Sequence, residues 1–136
     1  MTIKSDLINR YPTAVCCAFG DSPELADQLA SLIASGQKTG SCGSLAGCVE
    51  DNKYPLIGGY RIVENGAGEP VCVIRTTRLQ LVRFSEVTEE LAKKEGEGDL
   101  SLRYWRAEHE RFFRQEGTFS NEMELIFEEF YVVEKV

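Results

Sequence analysis

Residues 70–84, PVCVIRTTRLQLVRF, form one run rich in β-branched and large apolar side chains. Such a composition favours strand over helix. The run is also far longer than an ordinary strand of about five or six residues. It therefore predicts a bend or β-bulge near Thr76 to Arg78, and a sheet that curls instead of lying flat. IGGYRIV at 57–63 reads as a preceding strand, and ENGAGEP as the connection, with Asn65-Gly66 as the hairpin signal. MELIFEEFYVVEKV, 123–136, closes the chain as one or two further strands.

Three helices fit around these strands. SPELADQLASLIAS, 22–35, has Ser22 as cap, Pro23 at the first helical position and Leu25, Leu29, Leu32 and Ile33 on one face. Gly36 follows as a left-handed stop. EVTEELAKKE, 86–95, is predicted helical behind Ser85, and GEGD breaks it. Ser101 caps a helix over 102–115, with Leu102, Trp105, His109, Phe112 and Phe113 on one face. The order is helix, strands, two helices, strand. It lacks the strand–helix–strand repetition of a doubly wound parallel sheet, so the expectation is an α+β domain with a small mixed sheet or barrel. A single domain over 1–136 is expected from the length.

Charge and cysteines narrow the setting. The net charge of −7 gives no general reason to bind a nucleic-acid strand, because phosphate contacts come from clustered Lys and Arg. A local pocket or a small nucleoside remains compatible. Arg61, Arg75, Arg78 and Arg83 on the strands form either one positive patch or solvent-facing alternation. Cys16, Cys17, Cys42, Cys48 and Cys72 show no C-x-x-C spacing. With no signal-peptide core and no membrane-length apolar run, a reduced, cytoplasmic protein without a membrane partner is expected.

The chemistry concentrates in ASGQKTGSCGS, 34–44. Its G-Q-K-T resembles part of a phosphate-binding loop, but it leaves a helix instead of opening one, and Ser31 stands where the first glycine should be. What remains is Lys38, Thr39 and Ser41 among glycines. A turn or bulge at Gly40 would let Lys38 reach Ser41 and act on its hydroxyl as a base, provided burial lowers the lysine pKa toward neutrality. The competing reading is a solvated helix-exit loop. EGEGD, 95–99, offers Glu95, Glu97 and Asp99 to a cation, a base or a sugar hydroxyl, or is simply a charged turn. Trp105 with Arg106 is either a stacking wall for a base or ordinary core. His109, the single histidine, reads as a core-edge residue with one hydrogen bond. One histidine and scattered cysteines give no zinc spacing, so neither a metal nor a cofactor is expected.

Three pieces together resemble the ASCH family: LIASGQKTGS, then GEPVCVIRTTRLQLVRFSEVTEELAKKEGEGDLSLRYWRAEHERFF, then ELIFEEFYVVE, spanning about residues 22–134. The first matches that family's Gly-x-Lys-Thr-x-[Thr/Ser] signature. The second matches the EGEGDxSLxxWRxxHxxFF block of its longer bacterial members. The resemblance implies a PUA-like fold, a small β-barrel decorated with helices, and a cleft concerned with RNA or nucleosides. One small member is an amidohydrolase of N4-acetylcytidine. By that resemblance, Lys38, Ser41 (where that enzyme has a threonine nucleophile) and Glu95 are catalytic, and Thr39, Glu97, Asp99, Trp105 and Arg106 are candidates for substrate binding. Gly43 stands where that enzyme has an arginine. Other members imply a ribonuclease or a non-catalytic RNA-binding module. The oligomeric state is left open.

Overall fold

The computed structural model describes residues 2–136. Among them are five α-helices and one five-stranded sheet. They run α1 (Ile3–Arg10), β1 (Val15–Cys17), α2 (Pro23–Ser35), β2 (Gly40–Ser44), α3 (Leu45–Asp51), β3 (Tyr60–Glu64), β4 (Pro70–Arg83), α4 (Glu89–Glu95), α5 (Leu102–Glu116) and β5 (Glu124–Lys135). The sheet order is β1-β3-β4-β5-β2, and only β1 and β3 pair in parallel. The curled half-barrel is the α+β arrangement that the pattern of elements predicts, in the PUA-like form that the family resemblance implies.

β4 and β5 form its spine. β4 runs unbroken through the bend, and its register against β5 slips between Thr76 and Arg78, where the bulge was expected, and again between Val73 and Ile74. Each slip adds twist and turns the strand. Alternation then feeds both faces. Val63, Cys72, Ile74 and Phe130 pack under Ala30 and Ile33 of α2. Ile62 and Val73 pack on Leu7 of α1. Further along, Val82, Leu125 and Phe127 pack with Phe84, Trp105 and Phe113 beneath α4 and α5.

The helix signals correspond to real caps. Ser22 accepts from the Leu25 amide, and Gly36 closes α2 in the left-handed region. Ser101 accepts from the Tyr104 amide at the start of α5. Four expectations shift. The strand predicted over 57–63 begins only at Tyr60, because Gly58 and Gly59 exchange backbone hydrogen bonds with Thr76 in a turn. The hairpin loop is wider than an Asn-Gly turn: Asn65 Oδ1 accepts from the amides of Ala67 and Glu69, and Gly68 is the left-handed residue. Ser85 lies inside a short 3-10 turn, Phe84–Glu86, so the cap of α4 is Thr88. The stretch after Gly36, expected as a loosened turn, becomes the edge strand β2. Pairing with β5 from Gly40↔Glu129 to Ser44↔Leu125 overrides the weak local propensity of Gly-Ser-Cys-Gly-Ser. Gly40 is required there: a Cβ would sit 2.9 Å from the Phe127 ring and 3.1 Å from the Glu128 carbonyl oxygen.

Candidate functional site: a buried carboxylate at the floor of a cleft

Three helices, α2, α4 and α5, converge beside β2. Lys38 leaves the end of α2, where its amide donates to the Leu32 carbonyl. Glu95 ends α4, and Gly96 follows at φ +70°. A Cβ on Gly96 would lie 2.5 Å from the Gln37 carbonyl oxygen, so the two backbones touch only because this residue is glycine. That contact delivers Lys38 and Glu95 to each other. Both are 2% exposed.

Glu95 is the hub. Its Oε1 accepts from Lys38 Nζ at 3.0 Å. Its Oε2 accepts from Trp105 Nε1 at 2.6 Å and Cys42 Sγ at 3.3 Å, and lies 3.0 Å from His109 Nε2. Trp105 and His109 are one turn apart on α5 and stack at 4.1 Å with an interplanar angle of 15°. The other imidazole nitrogen, Nδ1, is 2.8 Å from the Trp105 carbonyl oxygen and must donate to it, since a carbonyl only accepts. Nε2 faces an ionised carboxylate and must also donate, so His109 is an imidazolium in this arrangement.

The protonation states follow. Burial pushes the Glu95 carboxyl up, but Lys38 and then His109 outweigh it and hold the group far below the usual carboxylate range. Burial pushes His109 down; Glu95 outweighs it and the net shift is upward. Burial, and then Glu95, push the Cys42 thiol well above its ordinary value, so it remains S–H. Lys38 corrects an expectation. Burial does disfavour its charge, but Glu95 and then Glu97 more than compensate, and its pKa rises. All three ammonium hydrogens have acceptors: Glu95 Oε1 and Glu97 Oε2 at 3.0 Å each, and the Glu95 carbonyl at 3.3 Å. None is left for Ser41. Two cations, Lys38 and His109, thus balance two carboxylates, Glu95 and Glu97.

Above this floor opens a cleft that Lys38, Ser41, Glu95 and Glu97 all line. Phe19 and Asp21, before α2, and Phe112, on α5, form part of its walls. Ser41 is half-buried. Its partner across the ladder is Glu128, whose carboxylate is held by Thr76 and Arg61.

The other named residues lie elsewhere. Thr39 is exposed and is not among the residues lining the cleft; its amide donates to the Lys94 carbonyl and its carbonyl accepts from the Phe130 amide. Asp99 is exposed and accepts from the Ser101 amide at the start of α5. Arg106 is exposed over the Ser85 carbonyl. Trp105 is 3% exposed, so it braces Glu95 and offers no stacking wall. Cys42 and His109 are the residues that sequence reasoning underrated. The spacing of Trp105 and His109 on one helical face was visible, but their common partner on another helix was not.

No helix among the described residues is long and apolar enough to cross a membrane. No curated protein is similar enough to the chain to count as a relative. The chain is similar to solved structures, among them one from Lactobacillus and one from Enterococcus. The crystal structure of an ASCH domain from Lactobacillus crispatus JV V101 shares 30% identity with a TM-score of 0.84, over 95% of this chain and 85% of that one. That of a protein from Enterococcus faecalis V583 shares 31% with a TM-score of 0.83, over 98% of this chain and 91% of that one. A family model described as the ASCH domain matches residues 15–134, and the chain belongs to that family.

Proposed function

We propose that the cleft hydrolyses an amide on a modified nucleoside of the N4-acetylcytidine type. The observation that carries this reading is the burial of Lys38 against Glu95 and Glu97 at the floor of a cleft that Ser41 also lines. Ser41 is the attacking hydroxyl, and backbone amides of Gly40 to Gly43 stabilise the oxyanion. In the free protein Lys38 is an ammonium and takes no proton. Glu97, at 22% side-chain exposure, is the looser of its two partners. A substrate donor that draws Glu97 away frees one Lys38 N–H and removes part of what raises its pKa. With part of that support gone, Lys38 releases one proton to the solvent in the cleft and accepts the Ser41 proton in its place. The walls suit a planar, uncharged base: Phe19 and Phe112 are apolar, and Asp21 can accept from an exocyclic amine.

A general RNA-binding module is less well supported. Lys38, its proposed phosphate contact, is buried and already balanced by two carboxylates. RNA cleavage is the second reading, favoured by the His109 imidazolium 3.0 Å from Glu95, an acid beside a base.

Purified protein incubated with N4-acetylcytidine should release acetate, and Ser41→Ala should release none. Full turnover by Ser41→Ala would overturn the serine mechanism. Cleavage of an RNA oligonucleotide without acetate release would favour the second reading.

A further inference from the structure

Cys42, Glu95 and His109 bring a thiol, a carboxylate and an imidazole to one point, although they come from β2, α4 and α5. Their donor atoms all lie within 4.8 Å of one another. Glu95 Oε2 is the shared node, 3.3 Å from Cys42 Sγ and 3.0 Å from His109 Nε2. A tetrahedral zinc ion with bonds of about 2.0–2.3 Å separates its ligands by about 3.3–3.8 Å, so little movement is needed to seat one.

We infer that Cys42, Glu95 and His109 form a binding site for a thiophilic divalent cation, with zinc as the best fit. This inference goes beyond the hydrolase reading and stands whether or not Ser41 attacks a substrate.

The donor set and its surroundings support this choice. Thiol and imidazole ligands favour zinc over magnesium or calcium, which prefer oxygen. His109 is oriented as metal-binding histidines are: Nδ1–H is fixed on the Trp105 carbonyl, and Nε2 points at the cluster. Glu95 is steadied from outside the triad by the Trp105 indole on Oε2 and by Lys38 on Oε1. Three protein ligands leave the fourth position open, and all three residues line the cleft, so that position faces solvent or substrate.

Charge also balances. Binding breaks the Cys42 S–H bond and the His109 Nε2–H bond, and both protons leave to solvent. One divalent cation replaces them through new bonds to Sγ, Nε2 and Oε2. The net charge of the cluster, counted with Lys38 and Glu97, is unchanged. Lys38 does not oppose the cation alone, because Glu97 offsets it at 3.0 Å.

The test uses cobalt(II) as a spectroscopic stand-in, titrated into the full chain under reducing conditions. One equivalent should produce a near-ultraviolet thiolate-to-cobalt charge-transfer band and tetrahedral visible bands, both removed by added zinc. Cys42→Ser should abolish the charge-transfer band, and His109→Gln should weaken cobalt binding about tenfold or more. Circular dichroism confirms that each variant is folded. Absence of the band in the unmodified chain overturns the proposal, whatever the variants do. Persistence of the band in Cys42→Ser assigns the metal to another cysteine and overturns it equally.

Discussion

Lys38 Nζ stands 3.0 Å from Glu95 Oε1, and each side chain is almost wholly enclosed. A lysine whose spacing aims it at Ser41 is instead held as an ammonium by carboxylates from the end of another helix and the loop that follows it. The pair is costly to separate. Removing one member of a buried ion pair leaves the other charge without a partner, which typically costs about 3–5 kcal/mol. Lys38→Met and Glu95→Gln should therefore each destabilise the fold by about that amount in urea titrations. The double variant should cost clearly less than the sum. Strict additivity would mean that the two charges are not coupled.

Ser41→Ala should behave differently. The serine is half-buried, and no side chain among the described residues depends on it for a hydrogen bond, so stability should change by no more than about 0.5 kcal/mol. Acetate release should nevertheless vanish. Loss of stability comparable with that of Lys38→Met would make Ser41 structural.

Two glycines with similar backbones should respond unequally. Gly68 has φ +79° and open space where a Cβ would go; Gly96 has φ +70° and the Gln37 carbonyl in the way. Gly68→Ala should cost about 1 kcal/mol, from backbone strain alone. Gly96→Ala should cost several times as much and shift Lys38 from Glu95. Equal melting temperatures for the two variants would contradict the close approach of the two backbones.

Trp105→Phe keeps a buried ring but removes the indole donor to Glu95. Loss of a hydrogen bond to a charged acceptor predicts about 1.5–3 kcal/mol of destabilisation. Thermal unfolding with circular dichroism detection measures it, and a variant as stable as the parent would show that the indole N–H is dispensable.

Burial pushes the Cys17 and Cys72 thiols up to about 11. Their folded pKa values exceed the unfolded ones, so the unfolded chain gives up these protons first as pH rises. Their contribution to stability is complete below about pH 9 and declines toward about pH 11. Cys17, half-buried, should be alkylated slowly at neutral pH, with the rate rising about tenfold per pH unit. Mass spectrometry of partially labelled native protein reads this directly, and a rate flat with pH would contradict it.

Sequence and structure agree where local rules decide the outcome. Ser22 and Gly36 bound α2, Ser101 opens α5, and the excess length of β4 announces its bulge. The caps act within one turn, and the bulge follows from strand length. They part where pairing at a distance decides. Gly40–Ser44 carries no strand pattern and is a strand only because β5 lies beside it. The acidic loop after α4 was visible as a cluster, yet nothing in EGEGD separates buried Glu95 from solvent-facing Asp99. The charge on Lys38 was open in the sequence for the same reason: burial and two carboxylates act oppositely on it, and their balance depends on distances. The sequence left the meeting of Ser41 and Lys38 open; a strand, not a turn, carries Ser41 in register with Glu128, and both residues line the cleft.

The chain contains one tryptophan and one histidine, and the fold stacks them on each other against the same carboxylate. Indole emission and imidazole proton resonances therefore originate from one place. A fluorimeter or an NMR spectrometer observes the floor of the cleft with no background from other residues of the same type and with no label attached.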